Sequence, residues 1–123
     1  MGKSIAAALL ISVVILAVTV VSFLYTKNTE NLMINTLSQV EKNLELQNSQ
    51  GIDDAINIWK NRKTYLTYII NHRDIEEISK ALLKTKKEAE CQNFDAALNN
   101  LAVAVFHIKN LPENERVSVG NIF

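Results

Sequence analysis

Two histidines, His72 and His107, and one cysteine, Cys91, are the side chains of this 123-residue chain with the most obvious metal or nucleophile chemistry. A zinc site needs three or four ligands in tetrahedral array. Asp74 and Glu76 follow His72 closely, so both histidines with one carboxylate form the ligand set the sequence offers. The simpler reading is a helix-end histidine at position 72, beside the negative end of a helix dipole, and a partly buried His107. Cys91 next to a histidine would make a nucleophile pair, but it falls in a polar break between helical stretches and reads as a bystander thiol. A single thiol forms no internal disulfide and no multi-cysteine zinc site. No serine sits on a glycine-flanked elbow. The expectation is a protein that is not an enzyme, with no catalytic, cofactor-binding or metal-ligating residues.

Two basic clusters have a different potential. Lys60, Arg62 and Lys63 precede Tyr65 and Tyr68, while Lys80, Lys84 and Lys87 share one helix face. Basic side chains interleaved with aromatics suit nucleic acid or anionic lipid. Glu77 and Glu88 lie near the second cluster, and a solvated outer face accounts for it equally simply. Net charge decides against nucleic acid. All thirteen acidic residues and twelve of the thirteen Lys and Arg residues lie after position 26, which leaves that part at formal charge −1. Nucleic-acid partners call for a clear basic excess.

The element that must position all of these residues is an apolar run at the start of the chain. Residues 4–25 contain no charge, no Pro and no Gly, and thirteen of them are Leu, Ile, Val or Phe. On an insertion scale those thirteen favour a bilayer by about 4–8 kcal/mol in all. Twenty-two residues at a 1.5 Å rise span about 33 Å, close to the thickness of a hydrocarbon core. The run is longer than a signal-peptide core, and no A-x-A site closes it, Val20-x-Ser22 being the poor cleavage site on which the alternative of a signal peptide rests. The expected domains are therefore a transmembrane anchor over residues 1–26, uncleaved and inserted through residues 4–25, and a soluble helical domain over residues 27–123. Lys3 before the run and Lys27 after it nearly tie under the positive-inside rule, and the very short N-terminal tail should place the soluble domain outside the cytoplasm. Ala6 breaks the myristoylation pattern that Gly2 would begin.

Beyond the run, Gly51, Pro112 and Gly120 are the only helix breakers. One helix should extend from about residue 4 to about residue 47, carrying a heptad-like seam of Met33, Leu37, Val40, Leu44 and Gln47. The seam suits packing within the chain, with a dimeric coiled coil as the alternative. Asn48, Ser49, Gln50 and Gly51 read as a turn. Asp53 then caps a second helix over 54–71, with Ala55, Ile56, Trp59, Leu66, Ile69 and Ile70 on its apolar face and Ile58, Tyr65 and Tyr68 flanking. Asp74 starts a third helix with Glu77 completing a capping box, and Ile75, Ile78, Leu82 and Ala89 form its stripe. Asn93 caps a fourth, which buries Phe94, Ala97, Leu98, Leu101, Val105 and Ile108 and stops at Leu111 and Pro112. Trp59 should pack against Leu37, Val40 and Leu44. The fold class is all-α, an antiparallel bundle of about four helices with an extended C-terminal tail. Gly120 should turn that tail so that Ile122 and Phe123 dock between helices.

These features together resemble a family of small membrane-anchored proteins, domain of unknown function family 4363, seen mostly in spore-forming Gram-positive bacteria. The resemblance rests on the N-terminal anchor, Trp59, the step His72, Asp74 and Ile75, then Ile78, and the Leu111–Pro112 stop. Acids at Glu113 and Glu115 and the ending Asn121, Ile122 and Phe123 complete it. Val119 and Gly120 replace a Leu and Glu common in the family, and Asn110 stands where a His is common. The resemblance implies an architecture and a host type, and no reaction. The expected function is an accessory or interaction module for another membrane protein. The alternative is an extracytoplasmic module that senses a ligand or binds an ion between its helices.

Overall fold

The computed structural model describes residues 2–112, which form four α-helices and, among the described residues, no strand. The first helix, α1, runs unbroken over Gly2–Glu45, 44 residues, or about 66 Å. It continues without a break through residues 26–29, as a stretch without Gly or Pro should. Among the described residues it is the one helix long and apolar enough to cross a membrane, and none of its apolar window is buried against the rest of the chain.

α1 ends in a Schellman turn. Gln47 adopts φ 57, its N–H donates to Leu44 O at 2.9 Å, and Asn48 N–H donates to Asn43 O at 2.8 Å. Gln47 is thus an exposed turn residue and not the last position of the seam. Asn43 Nδ2 donates to Gln50 O at 2.8 Å, which ties the turn down. Gly51 follows at φ 93, a conformation few residues other than glycine accept. It sends the chain into α2, Ile52–Ile69.

α2 therefore starts before Asp53, and Gly51 occupies the cap position with no side-chain bond. Asp53 lies in the first turn, where a negative charge suits the helix dipole, and its carboxylate reaches Lys86 Nζ at 2.9 Å. The start of the third helix is displaced in the same way. α3 spans His72–Glu90, and its cap is Asn71, not Asp74. Asn71 Oδ1 accepts from Arg73 N at 3.0 Å, because α2 ends at Ile69 and leaves Asn71 free to serve. α4, Phe94–Lys109, starts as the sequence suggests, with Asn93 Oδ1 accepting from Ala96 N at 3.4 Å.

The helices run up and down in a ring. α2 returns along α1, α3 along α2, and the short turn after Glu90 folds α4 back along α3 until it also meets α1. One core fills the ring. α1 contributes Met33, Leu37, Val40 and Leu44, and the expected stripes of α2, α3 and α4 supply most of the rest, with Ile52, Ala81, Ala104 and Leu111 added, while Ile69, Phe94, Leu98 and Val105, expected in the stripes, are only partly buried against it. The seam is thus buried within its own chain. Trp59 is 1 % exposed and belongs to the same core as Leu37, Val40 and Leu44. Its indole Nε1–H turns to α3 and donates to Ser79 Oγ at 2.8 Å. A buried indole needs such a partner. The docking expected of Ile122 and Phe123, with its turn at Gly120, lies outside the described residues.

Candidate interaction surfaces

The structure separates the side chains with potential chemistry. His72 is the first residue of α3, so it stands at the positive end of a helix dipole and not at the negative end of α2. It is well exposed, with Nε2 2.9 Å from Glu76 Oε1 one turn along the same helix. His107 is half-buried in the last turn of α4, edge-on to the Phe106 ring at 5.4 Å. Cys91 is exposed at the other end of α3, about 28 Å from His72 at helical rise. Among the described residues, no three of His, Cys, Asp and Glu stand close enough to hold a metal ion.

The two basic clusters also diverge. Lys80, Lys84 and Lys87 are exposed on α3, with Lys80 Nζ 4.0 Å from Glu77 Oε1. Lys86, between them in sequence, pairs with Asp53, and the bond to that carboxylate raises its pKa. The cluster on α2 is split. Lys60 and Lys63 border a shallow depression beside Trp59 and Leu82, facing α3. Arg62 points the other way, toward α1.

There Arg62 helps build a side-chain cluster that joins α2 to α1, at the level where α1 passes from its apolar half to its packed half. The guanidinium lies 5.3 Å from the Tyr25 ring centroid, a cation–π distance, and Nη1 donates to Asn28 Oδ1 at 3.0 Å. Tyr25 OH donates to Arg62 O at 3.3 Å. Tyr65, one turn further along α2, meets Tyr25 edge-on with centroids 5.7 Å apart. Thr26 and Thr29 are fully buried on the other side of the same turns. Thr26 returns its hydroxyl to Ser22 O at 2.9 Å, while Thr29 Oγ1 has no hydrogen-bond partner among the described residues.

Sequence periodicity missed this junction. Thr26 and Thr29 continue the seam at the same spacing, but their polarity hides them. Tyr65 and Tyr68 read as flanks of a buried face, yet they are 65 % and 83 % exposed. Beyond the tyrosines α1 and α2 enclose an apolar groove of about 440 Å³, lined by Val18, Val21, Ser22 and Tyr25 on one side and Tyr65, Tyr68 and Ile69 on the other. A second apolar surface is the outer face of α4, where Val103 is 46 % and Phe106 63 % exposed.

The family model described as "Domain of unknown function (DUF4363)" matches residues 20–122. The chain belongs to that family. The matched region of the family domain begins within the apolar run, takes in the tyrosine junction, and continues through all of α2, α3 and α4. Searches of curated proteins and of solved structures gave no match.

Proposed function

We propose that this chain is a membrane-anchored interaction module, in which the apolar half of α1 crosses the bilayer and holds the bundle at its surface for another membrane protein to engage. The observation that carries this reading is the continuity of α1. One unbroken helix serves as an unburied apolar rod over its first half and as a core element of the bundle over its second. A rigid connection of this kind transmits position from bilayer to domain, which a flexible linker does not. The exposed apolar pair Val103 and Phe106 gives the bundle a surface of the type partners cover.

The bundle lies outside the cytoplasm in this proposal, with Lys3 on the inner side of the span. Three measurements test it. The full chain should stay with membranes through alkaline extraction, and release by alkali would defeat the anchor. A photoreactive amino acid at Phe106 in cells should capture a membrane protein of discrete size, and its absence there defeats the partner role. Cys91, being exposed, should react with an impermeant maleimide on intact cells. Reaction only after lysis reverses the orientation.

A further inference from the structure

The groove beside the tyrosine junction is not at the outer surface of the bundle but at the side of the apolar rod. At 1.5 Å per residue, Val18 lies about 10 Å before Tyr25 along α1. The end of α2 reaches alongside that stretch, since Tyr68 and Ile69 share a groove with Val18 and Val21. If the apolar run crosses a bilayer, the end of α2 lies within about 10 Å of the run's outer end, at the boundary between hydrocarbon and headgroups and not in bulk water.

We propose that the end of α2 is a membrane-interface foot. Tyr65, Tyr68 and Ile69 enter the headgroup region, and lipid of the surrounding bilayer fills the groove they form with α1. This inference rests on the anchor reading above. Three observations favour lipid as the occupant. The groove is continuous with the span: Val18 and Val21, which line it, are 59 % and 64 % exposed and belong to the apolar run itself. Its outer wall is tyrosine, an amphipathic ring with an apolar body and a polar tip, the residue type that gathers with tryptophan at membrane interfaces. Polar groups then limit the descent. Asn71, His72 and Arg73 follow directly in the turn to α3 and are exposed. They belong with headgroups and water and not with hydrocarbon.

The junction is also built to hold the foot in place. The Arg62 contacts with Asn28 and Tyr25, and the Tyr25–Tyr65 ring contact, pin α2 to α1 just above the groove. A bundle tied by one helix could tilt and spin over the surface. With a second contact on α2 it presents one fixed side to the bilayer and another to a partner.

Nitroxide labels in the full chain, in phosphatidylcholine vesicles, test the foot. With Cys91→Ser as background, single cysteines are placed at Val14 in the span, at Ser49 in the far turn, and at Thr67, which leaves both tyrosines intact. Accessibility to oxygen and to a water-soluble nickel chelate reports depth. The expected result is Val14→Cys in hydrocarbon, Ser49→Cys in water, and Thr67→Cys at the interface, with chelate access several-fold below that of Ser49→Cys. Adding Tyr65→Ser and Tyr68→Ser should return the Thr67→Cys label toward water with the helical content unchanged. A Thr67→Cys label as open to the chelate as Ser49→Cys, with Val14→Cys still in hydrocarbon, overturns the foot and leaves the anchor standing. A Val14→Cys label in water overturns both. An interfacial Thr67→Cys label indifferent to the two serines overturns the role of the tyrosines.

Discussion

Residues 5–18 and 26–44 belong to one helix, and they are buried on opposite principles. In the first stretch every described residue is exposed, although nearly all are apolar. In the second only Thr26, Thr29, Met33, Leu37, Val40 and Leu44 are buried, three or four residues apart, and polar side chains fill the outer face. A uniform apolar surface has no preferred face and suits a solvent that is itself apolar. A stripe has one direction in which it can be covered, and α2 and α4 cover it. The same backbone geometry thus does two jobs, and side-chain distribution alone assigns them. Thr26 and Thr29 mark the changeover.

The largest expected effect separates the two halves outright. Val13→Arg with Leu16→Arg should cost about 3 kcal/mol per site in membrane insertion and release the protein into the alkaline extract. The thermal midpoint of the bundle should not move. A fall in that midpoint would mean that the apolar half supports the fold, and the division would fail.

Trp59→Ala tests the other half. It should cost about 3–5 kcal/mol of bundle stability, a large share of the total for a small domain. Membrane association should persist. An unchanged unfolding midpoint would show that Trp59 is not the central core residue its 1 % exposure indicates.

At the changeover, Thr29→Val should stabilise by about 1 kcal/mol, because it replaces a buried hydroxyl that has no partner among the described residues by a methyl of similar shape. Destabilisation would reveal an undetected hydrogen-bond partner. Gln47→Gly, at the opposite end of the packed half, should raise stability by a similar or smaller amount, about 0.5–1 kcal/mol, since a non-glycine residue in the left-handed region is strained. Chemical denaturation measures both.

The smallest effect concerns pH. Asp53 raises the pKa of Lys86 by accepting a hydrogen bond from its ammonium and by charge attraction. The contribution of that pair is full below the ordinary lysine pKa and is lost as pH rises through the raised one. Stability should dip slightly in the alkaline range, and Lys86→Gln should flatten that dip. The pair is open to solvent, so added salt should shrink it.

Much of this architecture was legible from residue order. The breaker-free α1, the seam from Met33 to Leu44, the stripes of α2, α3 and α4, and the cap at Asn93 all follow from local periodicity and side-chain type. The misplaced starts of α2 and α3 share one cause. Asp53 and Asp74 have the chemistry of caps, but the positive φ of Gly51 and the end of α2 at Ile69 fixed the helix starts two or three residues earlier. Cap choice depends on the path by which the chain enters the helix, and that path is set by the preceding turn.

What the sequence determined by itself was the division of labour: an apolar rod, four helices, and which face of each is buried. Those are properties of single elements, and periods of 3.6 and runs without charge are visible in one dimension. Tertiary structure alone decided what meets at the junction. It turned Arg62 away from its neighbours Lys60 and Lys63 and set it over Tyr25, 37 residues earlier. It buried two threonines and left two tyrosines open beside the rod. Contacts between residues far apart in sequence depend on how helices are placed against one another. No local pattern in either helix records that placement.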